Sequence, residues 1–233
     1  MSEKNIAIIT AGGSGNRMKH KLKKQFIEIE QRPLLFWTLD RFADHLELDE
    51  VIVTLPEDEF KIYSKLIENE YPQAVITIIP GGNERQDSVY RALKNCSPNT
   101  SYVLIHDGVR PFISSNDISR LLDNAAKYKA VIPVSKVKNT LKKIKDNKIV
   151  KTVPRNDLVN ALTPQAFEFD LILSCHKKAK AKELYFTDDA AIVEHFGFDV
   201  HIMEIEPYNI KITDEHDLEI AEMIIKNKQL GDY

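Results

Sequence analysis

Short runs rich in isoleucine and valine alternate with longer segments of helical period along the first 134 residues, and this alternation limits the fold more than any other feature. Residues 6–10 precede a helical stretch at 34–45, 51–55 precede 58–71, and 75–79 precede 85–94. Residues 102–106, 116–128 and 130–134 continue the series as strand, helix and strand. A strand covered on both faces reads as an unbroken apolar run, whereas a helix lying on a sheet shows helical periodicity. The order therefore predicts an α/β fold, a Rossmann-like, doubly wound, mainly parallel sheet. A chain of 233 residues is expected to form it as one domain, 1–233.

From 135 to 151 the pattern becomes lysine-rich and alternating around Asp146-Asn147, which predicts a hairpin with one wet face, projecting as an arm. Beyond it the reading is a loop at Leu162-Thr-Pro-Gln165, helices at 169–181 and 188–196, a strand at 200–204 and a last helix at 214–227.

Charged residues make up 29% of the chain and the formal net charge is −3, so no general nucleic-acid-binding surface is expected and any phosphate site must be local. The longest apolar runs, 6–9 and 102–105, fall far short of the ~20 residues that cross a bilayer, and no signal-peptide pattern follows Met1. A cytoplasmic protein without a membrane partner is expected. Cys96 and Cys175 lie in helical stretches without metal-ligand spacing and read as free thiols.

Four constellations could carry chemistry. Thr10-Ala-Gly-Gly-Ser-Gly-Asn-Arg-Met18 follows the first strand; its glycines at 12, 13 and 15 allow backbone N–H groups to approach an oxyanion, and Arg17, Lys23 and Lys24 supply cations. The glycine spacing matches neither a dinucleotide fingerprint nor a P-loop, and equally serves a plain turn. Ile105-His-Asp-Gly-Val-Arg-Pro111 sits at the carboxyl end of a strand, where ligands of open α/β sheets bind. Asp107 there is a hard oxygen ligand suited to Mg2+ beside phosphates, or a turn-capping acid paired with Arg110; His106 reads as a packed residue. In Gly81-Gly-Asn-Glu-Arg-Gln-Asp-Ser88 the backbone and the Ser88 hydroxyl could read a base, while Asn83 with Gln86 could form a capping box. Thr140, Arg155, Thr163-Pro-Gln165, Thr187-Asp-Asp189 and Asn209-Ile-Lys211 are spread along the second half; Arg and Lys across a pocket could hold a phosphate monoester. Asp188 and Asp189 read first as the start of a helix.

Taken together, Ala11–Met18, Lys24-Gln-Phe26, Gly81–Val89, His106–Pro111, Thr152-Val-Pro-Arg155, Leu162–Phe167, Thr187-Asp-Asp-Ala190 and Asn209-Ile-Lys-Ile-Thr213 resemble the 2-C-methyl-D-erythritol 4-phosphate cytidylyltransferase family over almost the whole chain. The resemblance implies a Mg2+-dependent nucleotidyltransferase that joins CTP to a phosphorylated polyol, and a homodimer whose arms, here about 135–151, complete the neighbouring site. By the same resemblance Arg17, Lys24, Arg155 and Lys211 would be catalytic. Ala11, Gly12, Gly13, Gly15, Gly81, Gly82, Ser88, Asp107 and Gly108 would hold the nucleotide. Asp107, Arg110, Thr140, Arg155, Thr163 and Lys211 would bind the second substrate, with Asp107 on the metal.

Some positions depart from the family pattern: Ala11-Gly-Gly13 for a usual Ala-Ala-Gly, Lys23 for proline, Asn139 for aspartate and Val159 for tryptophan. The similar ribitol-5-phosphate cytidylyltransferases share Ala-Gly-Gly and His-Asp-x-Val-Arg-Pro, and are the alternative. Glu84–Ser88 and Thr187–Ala190 favour methylerythritol phosphate. A non-catalytic nucleotide-binding module and a hexose-phosphate nucleotidyltransferase fit less well, the first because Lys24, Asp107 and Lys211 are all present.

Overall fold

A computed structural model describes residues 3–12, 23–206 and 208–229. Strand β1 (Lys4–Thr10) is followed by a 3-10 turn at Lys24–Phe26, the short strands β2 (Glu28–Ile29) and β3 (Arg32–Pro33), and α1 (Leu34–Leu39). Then come β4 (Glu50–Leu55), α2 (Phe60–Glu70), β5 (Ile76–Pro80), α3 (Arg85–Asn95), β6 (Thr100–Asp107), α4 (Ser115–Tyr128) and β7 (Ala130–Lys136). The arm is β8 (Leu141–Lys145) and β9 (Lys148–Val153); β10 (Val159–Ala161), β11 (Gln165–Glu168), α5 (Phe169–Ala181), α6 (Asp189–His195), β12 (His201–Glu204) and α7 (Glu215–Gln229) complete the chain.

The sheet is built as the apolar runs require. β1 pairs in parallel with β4 on one side and β6 on the other, and β5 extends it beyond β4. Alternate residues of one strand face opposite layers. Ala7 and Ile9 pack with Leu35, Ile67 and Leu121 under α1, α2 and α4, whereas Ile6 and Ile8 pack with Val89, Ile172 and Ile192 under α3, α5 and α6. Both layers are dry, so the strands read as unbroken runs. A third cluster joins α7, through Ala221 and Ile225, to Leu34, Val109 and Ile212.

Two expectations are corrected. The loop read at 162–165 ends at Gln165, where β11, a strand not read from the sequence, is wedged antiparallel between β6 and β7, with Phe167 fully buried. β10 continues the same edge of β7, antiparallel, opposite the edge taken by β12. Four residues broken by Pro164 carry too little periodicity to be read as a central strand. Asn83 does not cap α3; Glu84 holds the N-cap position without a side-chain hydrogen bond, and Gln86 instead bridges to the Leu184 carbonyl and the Phe186 N–H. The helix start at Asp188 is as expected, its carboxylate accepting from Ala191 N at 2.9 Å. The hairpin also forms where expected, with Asp146 and Asn147 both at positive φ, the conformation a two-residue turn between twisted strands needs.

His106 ties the middle of the fold together. It is fully buried, stacked obliquely on Phe42, and its Nε2 lies 2.9 Å from the Arg110 carbonyl. That carbonyl only accepts, so Nε2 carries the proton, and Nδ1 accepts from the Thr163 hydroxyl at 3.0 Å. Burial, the largest cause, pushes the ring down to about 4. The unfolded chain takes up this proton below the ordinary value of 6.5, the folded chain only below about 4. Acid in that interval therefore favours unfolding. We expect urea-unfolding stability to fall by about 3 kcal/mol between roughly pH 6.5 and pH 4. The pH slope should flatten in His106→Gln; an unchanged slope in that variant would rule His106 out as its source.

Candidate active site

The carboxyl ends of β1, β5 and β6 build one cleft. Ala11 N–H still donates to the Thr54 carbonyl at 3.0 Å, and Gly81 N–H to the Leu55 carbonyl at 2.7 Å, so both chains leave the sheet side by side. A Cβ on Gly12 would stand 3.5 Å from the Gly81 Cα and 3.2 Å from the Ser88 hydroxyl, and one on Gly82 would stand 2.3 Å from the Asp87 Cβ. Only backbone fits at Gly82, and Gly12 and Gly81 keep the floor of the cleft open to a flat or anionic group. The Ser88 hydroxyl accepts from Gly82 N–H at 2.9 Å and donates to the Glu84 carbonyl at 3.2 Å, fixing this loop.

Of the residues predicted from sequence, Ala11, Gly12, Lys24, Gly82, Ser88, Asp107 and Lys211 line this cleft of about 190 Å³, beside Asn83, Glu84 and Arg85. Asp107 is its electrostatic centre. Its Oδ1 accepts from Arg85 Nε at 3.1 Å, and its Oδ2 faces Arg110 Nε at 3.2 Å and Lys211 Nζ at 2.9 Å. Burial alone would raise the pKa of this carboxyl; Arg85, Lys211 and Arg110 outweigh it and hold the group well below the usual carboxylate range. The pairing of Asp107 with Arg110, one of two readings of the sequence, is thus present and enlarged by two further cations.

Arg85 did not emerge from the sequence as a site residue, yet it joins the cleft to the core. Its Nη1 donates to Asp189 Oδ2 at 2.6 Å, and Asp189 Oδ1 lies 3.1 Å from His176 Nε2, with Asp189 and His176 both buried. Burial acts against the charged form of Asp189, but Arg85 and His176 hold its pKa below the usual range. A signal for Arg85 was available. It is the first residue of α3, where a cation opposes the helix dipole, so another partner must compensate.

The remaining predicted residues stand behind the cleft or away from it. The Thr163 hydroxyl accepts from Asp107 N–H at 3.2 Å, and its carbonyl accepts from Asn209 Nδ2 at 2.6 Å. Arg110 Nη1 donates to the Asn209 carbonyl at 3.0 Å. Gly108 lies against the strand bundle, its N–H on the Thr10 carbonyl and its carbonyl accepting from the Thr38 hydroxyl. Gln165, buried, bridges Asp188 and Ala190 N–H and so seats α6. The Thr-Pro-Gln and Asn-Ile-Lys motifs thus assemble the frame that aims Asp107 and Lys211. Arg155 donates to the Lys138 carbonyl and lines a separate hollow with Lys136, Leu158 and Val159, while Thr140 is exposed before β8. One chain does not bring these two into the cleft. Gly13, Gly15 and Arg17 lie outside the described residues.

The family model for 2-C-methyl-D-erythritol 4-phosphate cytidylyltransferase matches residues 5–227. A protein of that name from Clostridium beijerinckii is 43% identical over 95% of this chain and 98% of its own, and one from Clostridium botulinum (strain Loch Maree) is 40% identical over 96% and 98%. Among solved structures, 4-diphosphocytidyl-2C-methyl-D-erythritol synthase from Anaerococcus prevotii superposes with a TM-score of 0.85 at 35% identity, covering 96% of each chain. The 2-C-methyl-D-erythritol 4-phosphate cytidylyltransferase of Thermus thermophilus gives 0.79 at 33% identity, covering 97% of this chain and all of that one. With the match spanning both the glycine-lined cleft and the cations around Asp107, this chain belongs to the 2-C-methyl-D-erythritol 4-phosphate cytidylyltransferase family of nucleotidyltransferase enzymes.

Proposed function

We propose that this chain converts CTP and 2-C-methyl-D-erythritol 4-phosphate to 4-diphosphocytidyl-2-C-methyl-D-erythritol and pyrophosphate. The observation that carries the reading is the cluster of Arg85, Arg110 and Lys211 on one depressed carboxylate, beside Lys24 and a glycine floor. Such a cleft accepts a polyanion and stabilises charge that builds on phosphoryl oxygens. A phosphate oxygen of the acceptor attacks the α-phosphorus, its new P–O bond forming as the bond to the β-phosphate oxygen breaks, and the electron pair leaves with pyrophosphate. No enzyme-bound intermediate is needed; orientation and fixed positive charge supply the acceleration. The relatives named above favour the erythritol acceptor over ribitol phosphate. Lys23, one departure from the family pattern, is used here in an ion pair with Asp58.

Mg2+ fits the donor set. Asp107 presents a hard carboxylate; its Oδ2, shared by Arg110 and Lys211, would take the cation as Lys211 turns to a phosphate, and phosphates would supply most of the other ligands. Bound with the nucleotide, it would neutralise triphosphate charge. Lys24 and Lys211 would draw the remaining negative charge, and Arg17 would join them.

A homodimer completes the site in this reading. Thr140 and Arg155 would serve the neighbouring subunit, and the exposed Ile144, Ile149, Val150, Leu158 and Val159 supply apolar surface for it. A cytoplasmic location accords with the finding that, among the described residues, no helix is long and apolar enough to cross a membrane.

Pyrophosphate release with CTP, Mg2+ and the erythritol phosphate should exceed that with ribitol 5-phosphate by orders of magnitude; preference for ribitol would refute the acceptor assignment. Lys211→Ala should lower kcat by about 100-fold or more with folding intact, and near-wild-type turnover would remove Lys211 from the chemistry. Mixing Lys24→Ala with Arg155→Ala, each inactive alone, should restore about a quarter of wild-type activity once subunits have exchanged, because each mixed dimer regains one intact site. No recovery after demonstrated exchange refutes sharing.

A further inference from the structure

The arm carries a charge that holding two substrate phosphates does not account for. Residues 136–155 contain seven lysines and one arginine against a single acid, Asp146, a net +7; with −3 for the whole chain, the remainder carries −10. Inside the hairpin the register sets Lys143 opposite Lys151 and Lys145 opposite Lys148. The register shifts by one residue between Lys143 and Ile144, so the two pairs crowd the turn end of the hairpin on either side of a β-bulge. Like charges set directly opposite destabilise a strand pair, and a two-stranded hairpin has little stability to spare. Among the described residues none of these four lysines has a carboxylate partner; the arm's recorded ion pair belongs to Lys136, with Glu204. The arrangement weakens the arm unless the charge serves something outside it.

Position indicates what that is. β6 and β7 each pair antiparallel with β11, so they run parallel to one another, and β1, β4 and β5 share their direction. The arm therefore springs from Lys136 at the same carboxyl edge that holds Ala11, Gly81 and Asp107. A net negative body repels a triphosphate and a phosphate monoester at long range, and a dense cluster of cations on an arm that is rooted at this edge, and that in the homodimer reading reaches the neighbouring site, offsets that field.

We propose that Lys143, Lys145, Lys148 and Lys151 form an electrostatic funnel that concentrates the anionic substrates at the cleft without touching them in the reacting complex. The inference rests on the CTP-dependent reading above. Three consequences separate it from a structural role. The effect acts on association and not on the bound complex, it is larger for the triphosphate than for the monoester, and it fades as salt shortens the Debye length from ~10 Å at 0.1 M.

The test uses the full-length protein and the variant Lys143→Gln/Lys145→Gln/Lys148→Gln/Lys151→Gln. Association of a fluorescent CTP analogue is followed by stopped flow from low to high ionic strength, with Lys61→Gln/Lys65→Gln on exposed α2 positions as the charge control. The arm variant should bind about tenfold more slowly at low salt. Its dissociation rate should be unchanged, and the deficit should vanish near 0.5 M salt. Its kcat should stay within about twofold of wild type while kcat/KM falls, more for CTP than for the acceptor. Equal association rates at low salt, an equal loss in the control, or a deficit that persists at high salt each overturn the funnel. Loss of the dimer by sedimentation with unchanged association assigns the lysines to subunit contact and overturns it as well. Turnover by the wild-type protein reports separately on the parent reading: turnover without an arm effect removes only the funnel, whereas nucleotide binding and an arm effect without turnover remove only the reaction.

Discussion

A buried carboxylate held by three cations is the constraint around which the rest of this molecule is arranged. Asp107 ends β6 with little exposure to water, and without partners such a charge would cost several kcal/mol. Arg85, Arg110 and Lys211 come from three separate segments of the chain, so folding brings them together only when α3, the turn after β6 and the segment after β12 are all in place. Both arginines are themselves oriented. Arg85 is pulled back by Asp189, Arg110 by the Asn209 carbonyl, and Asn209 by the Thr163 carbonyl. Replacing any of these by an apolar residue would leave a buried polar group unpaired, the expensive direction of change.

The parallel layers were legible because their physics is local to each segment. Ile6–Ile9 and Tyr102–Ile105 are apolar on both faces since helices cover both sides, and the amphipathic stretches between them can only lie on that sheet. The arm was legible for the same reason, since Asp146-Asn147 tolerates the positive φ that a tight turn between strands demands. β11 was not legible. Its strand character arises from insertion between β6 and β7, and Gln165-Ala-Phe-Glu168 is too short to announce that by its own pattern.

The site was legible to the extent that its residues carry distinctive chemistry. Asp107 is a charged group at a strand end, Lys24 and Lys211 are cations beside distinctive short motifs, and Gly82 marks a place where only backbone fits. Arg85, Asp189 and His176 were missed as a unit because their meaning is relational. An Arg that opens a helix, an Asp beside a capping Asp and a His in a helix each look ordinary until the fold places them within hydrogen-bonding distance. Thr163 shows the reverse. Its hydroxyl joins Asp107 to His106, so a residue expected to touch substrate is seen holding the frame.

The three cations on Asp107 are not equivalent, and the difference bears on how a charge-balanced site admits a polyanion. Arg85 and Arg110 are each anchored at a second point, and moving either would expose Asp189 or the Asn209 carbonyl to loss of a partner. Lys211 has more of its side chain in water, at 37% against 28% for Arg85 and 10% for Arg110, and a flexible stem with a single charged head. Of the three, Lys211 would exchange a carboxylate for a phosphate with the least rearrangement in the proposed reaction. The two arginines would keep Asp107 compensated while it does so. In the proposed reaction an arriving phosphate would draw Lys211 while the two arginines stay on Asp107, so that no buried ion is left alone.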